Sequence, residues 1–294
     1  MSRPLRAALD KLRAAEQGRL PGSALSKAQK TTLDDFARQT GAVRREPAGR
    51  GVIYHIVQPT IVEHHWRRLS PVEADDLDAA LPDRATNIGT RRDSKGARHG
   101  HAIQYLLLKA GGGYPIWHDD QGHRLDLRQA TDAQGAAALA ISADNRWSTE
   151  GDLWLIENQA LFDRLDWLPE STQASALYYG GHLSGLLLDW LAEQPRADRI
   201  WFFPDYDGVG LGNYARARAR LGDRVSLWLM PNWSTKLAHY GNSDRWMSSR
   251  EHFNSARRAL SELDEADPAL ALMDAMAEKG LGLEQEAVWL PEPE

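Results

Sequence analysis

The chain of 294 residues has no cysteine. That excludes disulfides, thiolate metal sites and a thiol nucleophile. Long apolar runs are missing too, and no stretch approaches the roughly 18 residues of a membrane span. The opening residues, MSRPLRAALDKLRAAEQG, are too charged for a secretory leader. These absences predict a soluble cytoplasmic protein with no membrane partner. The length suggests two domains or three small ones, with enough chain for a substantial core.

The net charge of −6 is unevenly spread. Residues 1–68 hold 13 Lys/Arg against 6 Asp/Glu, and the remainder holds 22 against 35. A basic head on an acidic body suits a polyanionic partner, although an ordinary solvated charge face gives the same asymmetry.

Residues 4–17 read as an amphipathic helix, with Leu5, Leu9 and Leu12 on one face and Gly18 as its stop. A short helix, a turn and a second helix follow over 20–46. "EPAGRGVIYHIVQP" then gives two short strands around a basic tip. This order is that of a winged helix, in which one helix enters a DNA groove and the wing touches phosphate. Candidate DNA contacts are Lys27, Lys30, Arg38, Arg44, Arg45 and Arg50. A protein–protein adaptor fits the same order.

Residues 69–150 read as a connector with a basic segment. Arg91, Arg92, Lys95 and Arg98, with His99 and His101, precede an apolar stretch predicted as a helix from about Ala102. Cations ahead of a helix N-terminus suit a phosphate, although an exposed loop whose charges mean little reads the same way. No Walker loop is present. His99, His101, His118 and His123 match no standard zinc spacing.

From Gly151 onward strands and helices alternate, which predicts a parallel α/β sheet with its function at the carboxyl ends of the strands. Three features fall at such ends: Glu157 after "LWLI", Gly180-Gly181 after "SALYY", and Asp205 with Asp207 in "RIWFFPDYDGVGLGNY". Two carboxylates at i and i+2 repel one another unless a cation lies between them. Hard oxygen donors of this kind suit Mg²⁺ or Mn²⁺. Glu157 precedes Asp205 by 48 residues, room for two β–α units, so the three acids can share one sheet edge. The competing reading makes the two aspartates turn residues before a glycine-rich loop.

A Glu after one strand and Asp-x-Asp two units later resembles the Toprim domain of topoisomerases, bacterial primases and several nucleases, over about residues 151–232. The order of modules resembles the Wadjet nuclease subunits JetD and MksG, relatives of the topoisomerase VI A subunit, against which the N-terminal arm here reads as short. "YYGGHLSG" is similar to their glycine turn, "RRDSKGARHG" to their Ser-Lys stretch and "GLEQEAVWL" to their terminal Leu-Glu-Gln-Glu. The resemblance implies an α/β chain with three parts: a winged-helix module over 1–68, the connector over 69–150, and a Rossmann-like, mostly parallel Toprim domain with a C-terminal extension over 151–294. It implies a Mg²⁺- or Mn²⁺-dependent nuclease acting on double-stranded DNA in plasmid defence, delivered by an SMC-type complex, and leaves a homodimer open. Asp205 and Asp207 would hold the metal and Glu157 would position or deprotonate the nucleophile, with Glu284 or Glu286 joining the metal.

Two other readings stay open. "WFFPDYDGVG" also resembles the nucleophile strand of haloacid-dehalogenase-type phosphatases, with Asp205 as nucleophile and Asp207 as acid/base. That family uses a later Lys, for which Lys236 is available, and a later acidic pair, which this chain lacks. The third reading is a DNA-binding regulator without catalysis. Tyr54 is the one tyrosine on the wing, but its alternating neighbours Ile53 and Ile56 predict a packing residue. Trp233 and Trp246 read as packing or as partner or DNA contacts.

Overall fold

The computed structural model describes residues 3–49, 51–70, 72, 76–95, 101–169, 173–181 and 183–292. The chain divides into two compact units, Met1–His101 and Ala102–Glu294. Among the described residues no helix is long and apolar enough to cross a membrane.

The first unit opens with α1 (Arg3–Ala14), which buries Ala8, Leu9 and Leu12 on one face. Strand β1 (Arg19–Pro21) and helix α2 (Lys27–Thr40) follow. Ser26 and Gln29 form a reciprocal capping box at the start of α2, and Gly41 ends it in the left-handed region. Strands β2 (Val43–Ala48) and β3 (Gly51–Ile56) form an antiparallel hairpin, and β1 joins the free side of β3. Helices α3 (Pro59–Leu69) and α4 (Asp83–Arg91) complete the unit. Its core gathers Leu9, Leu12, Leu33, Phe36, Tyr54 and Trp66. Tyr54 is buried, and its hydroxyl donates to Asp34 Oδ1 at 2.9 Å. Burial first, and then Asp34, push that phenol up to about 12.

Most of the basic residues singled out from the sequence lie on this unit's surface. Lys27 and Arg38 are exposed on α2, Lys30 is half-buried there, and Arg44 and Arg45 are exposed on β2. Several are matched by acids: Arg38 by Asp35, Arg44 by Glu46 at 3.9 Å and Arg45 by Asp34 at 3.6 Å. Exposed pairs of this kind are weak and screened by salt, so the cations remain available to a phosphate. Arg50, Arg98 and His99 lie outside the described residues.

The second unit contains β4 (Gln104–Gly112), β5 (Ile116–His118), β6 (Arg124–Asp126), α5 (Leu127–Gln134), β7 (Ala137–Ile141) and β8 (Ser148–Thr149). It continues with β9 (Asp152–Ile156), α6 (Gln159–Asp163), β10 (Ala174–Tyr178), α7 (Gly185–Glu193), β11 (Arg199–Phe203), α8 (Gly208–Leu221) and β12 (Val225–Leu227). Helices α9 (Trp233–Tyr240), α10 (Ser243–Leu263) and α11 (Pro268–Lys279) follow, and a 3₁₀ turn over Gln285–Trp289 closes the unit. Six strands form one mixed sheet in the order β12-β11-β9-β10-β4-β7.

Two expectations are corrected here. Residues 104–141 are not connector, because β4 and β7 extend the central sheet. The stretch after Ala102 is a strand, not a helix: Leu106, Leu108 and Ala110 are buried while Tyr105 and Leu107 are exposed, a period of two. β4 runs antiparallel to both β10 and β7, so the sheet is mixed, with its parallel part confined to β12, β11, β9 and β10. The run "QYLLLKA" is apolar on both alternations, which hides its period.

Trp154 on β9 anchors the core under the parallel part of the sheet. It is 1% exposed, stacks on Trp201 at 5.6 Å and meets Trp167 and Trp228 edge-on. On the other face α8 lies against α10. At Gly208 a Cβ would stand 2.0 Å from Ser249 O and 2.6 Å from Phe253 N, so the two helices touch backbone to backbone. Gly208→Ala is expected to lower unfolding free energy by about 1–3 kcal/mol. Gly212→Ala, in open space one turn along, is expected to be neutral or to gain up to about 1 kcal/mol. Urea titration of both variants checks the contrast.

Candidate active site

Adjacent parallel strands deliver the first two acids. β9 and β11 pair with Ile156 opposite Phe203, so Glu157 and Asp205 leave the sheet at the same edge. The Asp205 amide donates to Glu157 Oε2 at 3.3 Å, and the buried Tyr179 hydroxyl donates to the same oxygen at 3.1 Å. Asp207 caps α8: its Oδ1 accepts from the amides of Val209 at 2.9 Å and Gly210 at 2.8 Å. The turn reading of Asp207 therefore holds for one of its two oxygens.

The end of the chain completes the wall. Leu283 exchanges backbone hydrogen bonds with Tyr206, between the two aspartates, which brings Glu284, Gln285 and Glu286 alongside. Gln285 is fully buried. Its backbone amide donates to Asp205 Oδ1 at 2.9 Å, its side-chain Oε1 accepts from the Asn158 backbone amide at 3.0 Å, and its side-chain NH₂ donates to Phe203 O. Asn158 Nδ2 donates to both Asp205 Oδ1 at 3.1 Å and Glu286 Oε2 at 3.2 Å. Lys236, buried on α9, donates from Nζ to Ala287 O and Val288 O, each at 2.9 Å, and so anchors this terminal turn from beneath.

Arg245, in the first turn of α10, faces the remaining oxygens. Its Nη1 lies 3.1 Å from Asp205 Oδ2 and 2.9 Å from Asp207 Oδ2, while Nη2 binds Glu284 Oε1. Each acid of the triad thus has one oxygen fixed by the fold. The other is presented: Oδ2 of both aspartates to a cationic nitrogen, and Oε1 of Glu157 beside Gly181, where a Cβ would lie 3.6 Å from it. Among the described residues no three His, Asp or Glu side chains stand in a metal-ligating arrangement, and the point between the aspartates is taken by the guanidinium. The donor set itself, hard carboxylate oxygens around a single positive charge, fits a divalent oxygen-loving cation.

The electrostatics express burial first and crowding second. Burial first, and then Asp205, raise the Glu157 pKa from 4.5 to about 7. Burial also raises Asp205 to about 6, against the Gln285 amide and Arg245 that favour its ionised form. Tyr179, buried against Glu157, is held well above the usual phenol value and stays a hydrogen-bond donor.

Glu157, Asp205, Asp207, Glu284 and Glu286 come together as a group, and Gly181 borders them. Arg91, Arg92 and Lys95 belong to the first unit, as do the head candidates. His123 pairs with Asp119 at 2.8 Å. Trp233 and Trp246 are partly buried against the core, Trp246 edge-on to Phe253 at 4.5 Å. Four functional neighbours escaped the sequence reading. Asn158, Tyr179 and Gln285 each sit beside a residue already singled out, so adjacency was their signal. Arg245 sits beside Trp246, but its distance of 38 residues from Asp207 gave no signal that the two meet.

A mixed α/β unit with carboxylates at the carboxyl ends of adjacent strands is the class this site defines. Residues 119–290, more than half of the chain, match the family described as Domain of unknown function (DUF7281), and the chain belongs to that family. No curated protein matches the chain.

A carboxyl that binds its proton more tightly in the folded chain than in the unfolded one stabilises the fold at low pH. That contribution is lost as the pH rises through the folded value. For Glu157 the window runs from 4.5 to about 7. In EDTA the melting temperature of the wild type should therefore fall across this window relative to Glu157→Gln, by roughly 2–5 °C. Parallel pH profiles for the two proteins would refute the raised value.

Proposed function

We propose that the chain is a metal-dependent DNA endonuclease of Toprim type, with a winged-helix DNA-binding module in its first unit. The carrying observation is that Glu157, Asp205 and Asp207 each have one oxygen anchored by the fold, while the second oxygens of the two aspartates meet at one cation position and that of Glu157 lies beside Gly181. The order of α1, β1, α2 and the β2–β3 hairpin supports the winged-helix part. The JetD resemblance extends this proposal to Wadjet-like plasmid restriction with an SMC-type partner.

Asp205 and Asp207 would hold Mg²⁺ or Mn²⁺ through Oδ2, with Glu284 and Glu286 as further oxygen donors at the rim. When bound, such an ion polarises a phosphodiester and acidifies water. Glu157, with a proton affinity near neutrality, is suited to position the attacking water and take its proton at Oε1, while Tyr179 and the Asp205 amide fix Oε2. Tyr54 is buried and bonded to Asp34, which suits packing, not attack on DNA. In the phosphatase alternative Lys236 would serve Asp205; here its ammonium binds two carbonyls of the terminal turn.

The decisive measurement is nicking of supercoiled plasmid. Wild type with Mn²⁺ or Mg²⁺ should cut, EDTA should stop it, and Asp205→Asn and Glu157→Ala should each lose more than about 100-fold. Tyr54→Phe should keep most activity, with DNA ends free of protein. Cleavage that persists in EDTA, or an end linked to Tyr54, overturns the assignment. Hydrolysis of small phosphomonoesters without plasmid nicking selects the phosphatase, and duplex binding without cleavage selects the regulator.

DNA binding is tested separately. Affinity of the full chain for duplex DNA should fall steeply with salt, because neutralised phosphates release counterions. Arg44→Glu with Arg45→Glu should weaken binding to all sequences alike and flatten the salt slope. Salt-independent binding, or no binding at low salt, favours the adaptor role.

A further inference from the structure

The acidic site carries its own counter-ion, and that ion is a side chain. Arg245 reaches the aspartates from a fixed base. Asn242 caps α10 with Oδ1 accepting from the amides of Asp244 at 2.8 Å and Arg245 at 3.2 Å, and its backbone pairs with Gly282. The stem crosses Gly282, where a Cβ would stand 3.2 Å from Arg245 Cγ. The backbone of Arg245 is tied in as well: its carbonyl accepts from Ser249 Oγ at 2.8 Å, and that Oγ accepts from the Gly208 amide at 2.9 Å. The guanidinium end is less confined. The side chain is 28% exposed, and its other partner, Glu284, is 57% exposed at the rim.

We propose that Arg245 is a resident cation that fills the metal position between Asp205 and Asp207 and must withdraw, pivoting on Glu284, for a divalent ion to bind. The inference rests on the metal-dependent reading of this site. One guanidinium nitrogen spans both Oδ2 atoms at 2.9–3.1 Å, which is hydrogen-bond distance. A magnesium ion bound by the same oxygens sits at about 2.0–2.1 Å from each. Two positive charges cannot share that space, so binding of one excludes the other. The exchange is favoured by charge, since one arginine faces Asp205, Asp207 and Glu284, with Glu157 and Glu286 close by, and a divalent ion answers more of that charge. Glu284 gives the displaced guanidinium a partner at the rim, where it points to solvent and to any bound phosphate.

Calorimetric titration of Mn²⁺ into the metal-free full chain tests this directly, alongside melting curves in EDTA. Arg245→Gln should bind Mn²⁺ more tightly than wild type by roughly ten-fold. Asp207→Asn in the same background should abolish the gain. In EDTA the Arg245→Gln protein should melt lower than wild type, and saturating Mn²⁺ should raise its melting temperature by more than it raises that of wild type. A purely structural arginine predicts the opposite sign, with weaker or unchanged metal affinity. Arg245→Lys keeps one charge without the planar fork and should give a smaller gain; it decides the matter if the glutamine variant does not fold. Wild-type binding with no gain in either variant overturns the resident cation and leaves the metal site standing. Absence of Mn²⁺ binding by wild type and variants at millimolar concentration overturns both.

Discussion

Gln285 is the constraint on which the rest of the site depends. A fully buried amide side chain must satisfy its donors and acceptor inside the protein, because leaving them unpaired costs about 1–3 kcal/mol each. Gln285 does so against the ends of two adjacent strands, at Asn158 N and Phe203 O, and its own backbone amide binds Asp205. The terminal turn is thereby fastened across β9 and β11. Lys236 fastens it from the other side through two carbonyls. The backbone that carries Glu284 and Glu286 is consequently fixed beside the sheet edge.

This arrangement solves a charge problem by division. Glu157, Asp205 and Asp207 are each split into a structural and a presented oxygen, so the fold can hold them close without using up their capacity to bind a cation. Burial first, and the repulsion that remains second, show in the raised proton affinities of Glu157 and Asp205. Arg245 relieves part of it. A site built this way is under electrostatic tension at neutral pH, which is a common condition of functional carboxylates.

The central sheet explains why this edge is so well supported. Four parallel strands place their carboxyl ends on one side, and β4 and β7 widen the sheet beyond β10. Trp154 is enclosed by three further tryptophans, a dense aromatic layer beneath the strand that ends at Glu157. On the other face the contact at Gly208 fixes α10 against α8, and with it the base of Arg245. Packing and charge are therefore coupled through a single glycine.

The sequence by itself determined the strand–helix alternation after Gly151, the first helix, α2 and the β2–β3 hairpin of the first unit, and the strand-end positions of Glu157, Asp205 and Asp207; the short helix expected before α2 is instead β1 and a 3₁₀ turn. Each is a local signal: an apolar run, a glycine turn, or an acid at a strand end; that β9 pairs with β11, with β10 on its other side, was decided by the sheet. Only the tertiary structure decided the role of residues 104–141, because "QYLLLKA" is apolar on both faces and its period appears only when its neighbours bury one of them. Only the tertiary structure could bring Arg245 to Asp207, since the contact arises from packing α10 on α8 and leaves no trace in spacing or composition. The division of oxygens within each carboxylate was equally out of reach, because it is set by amides that converge from β11, α8 and the terminal turn.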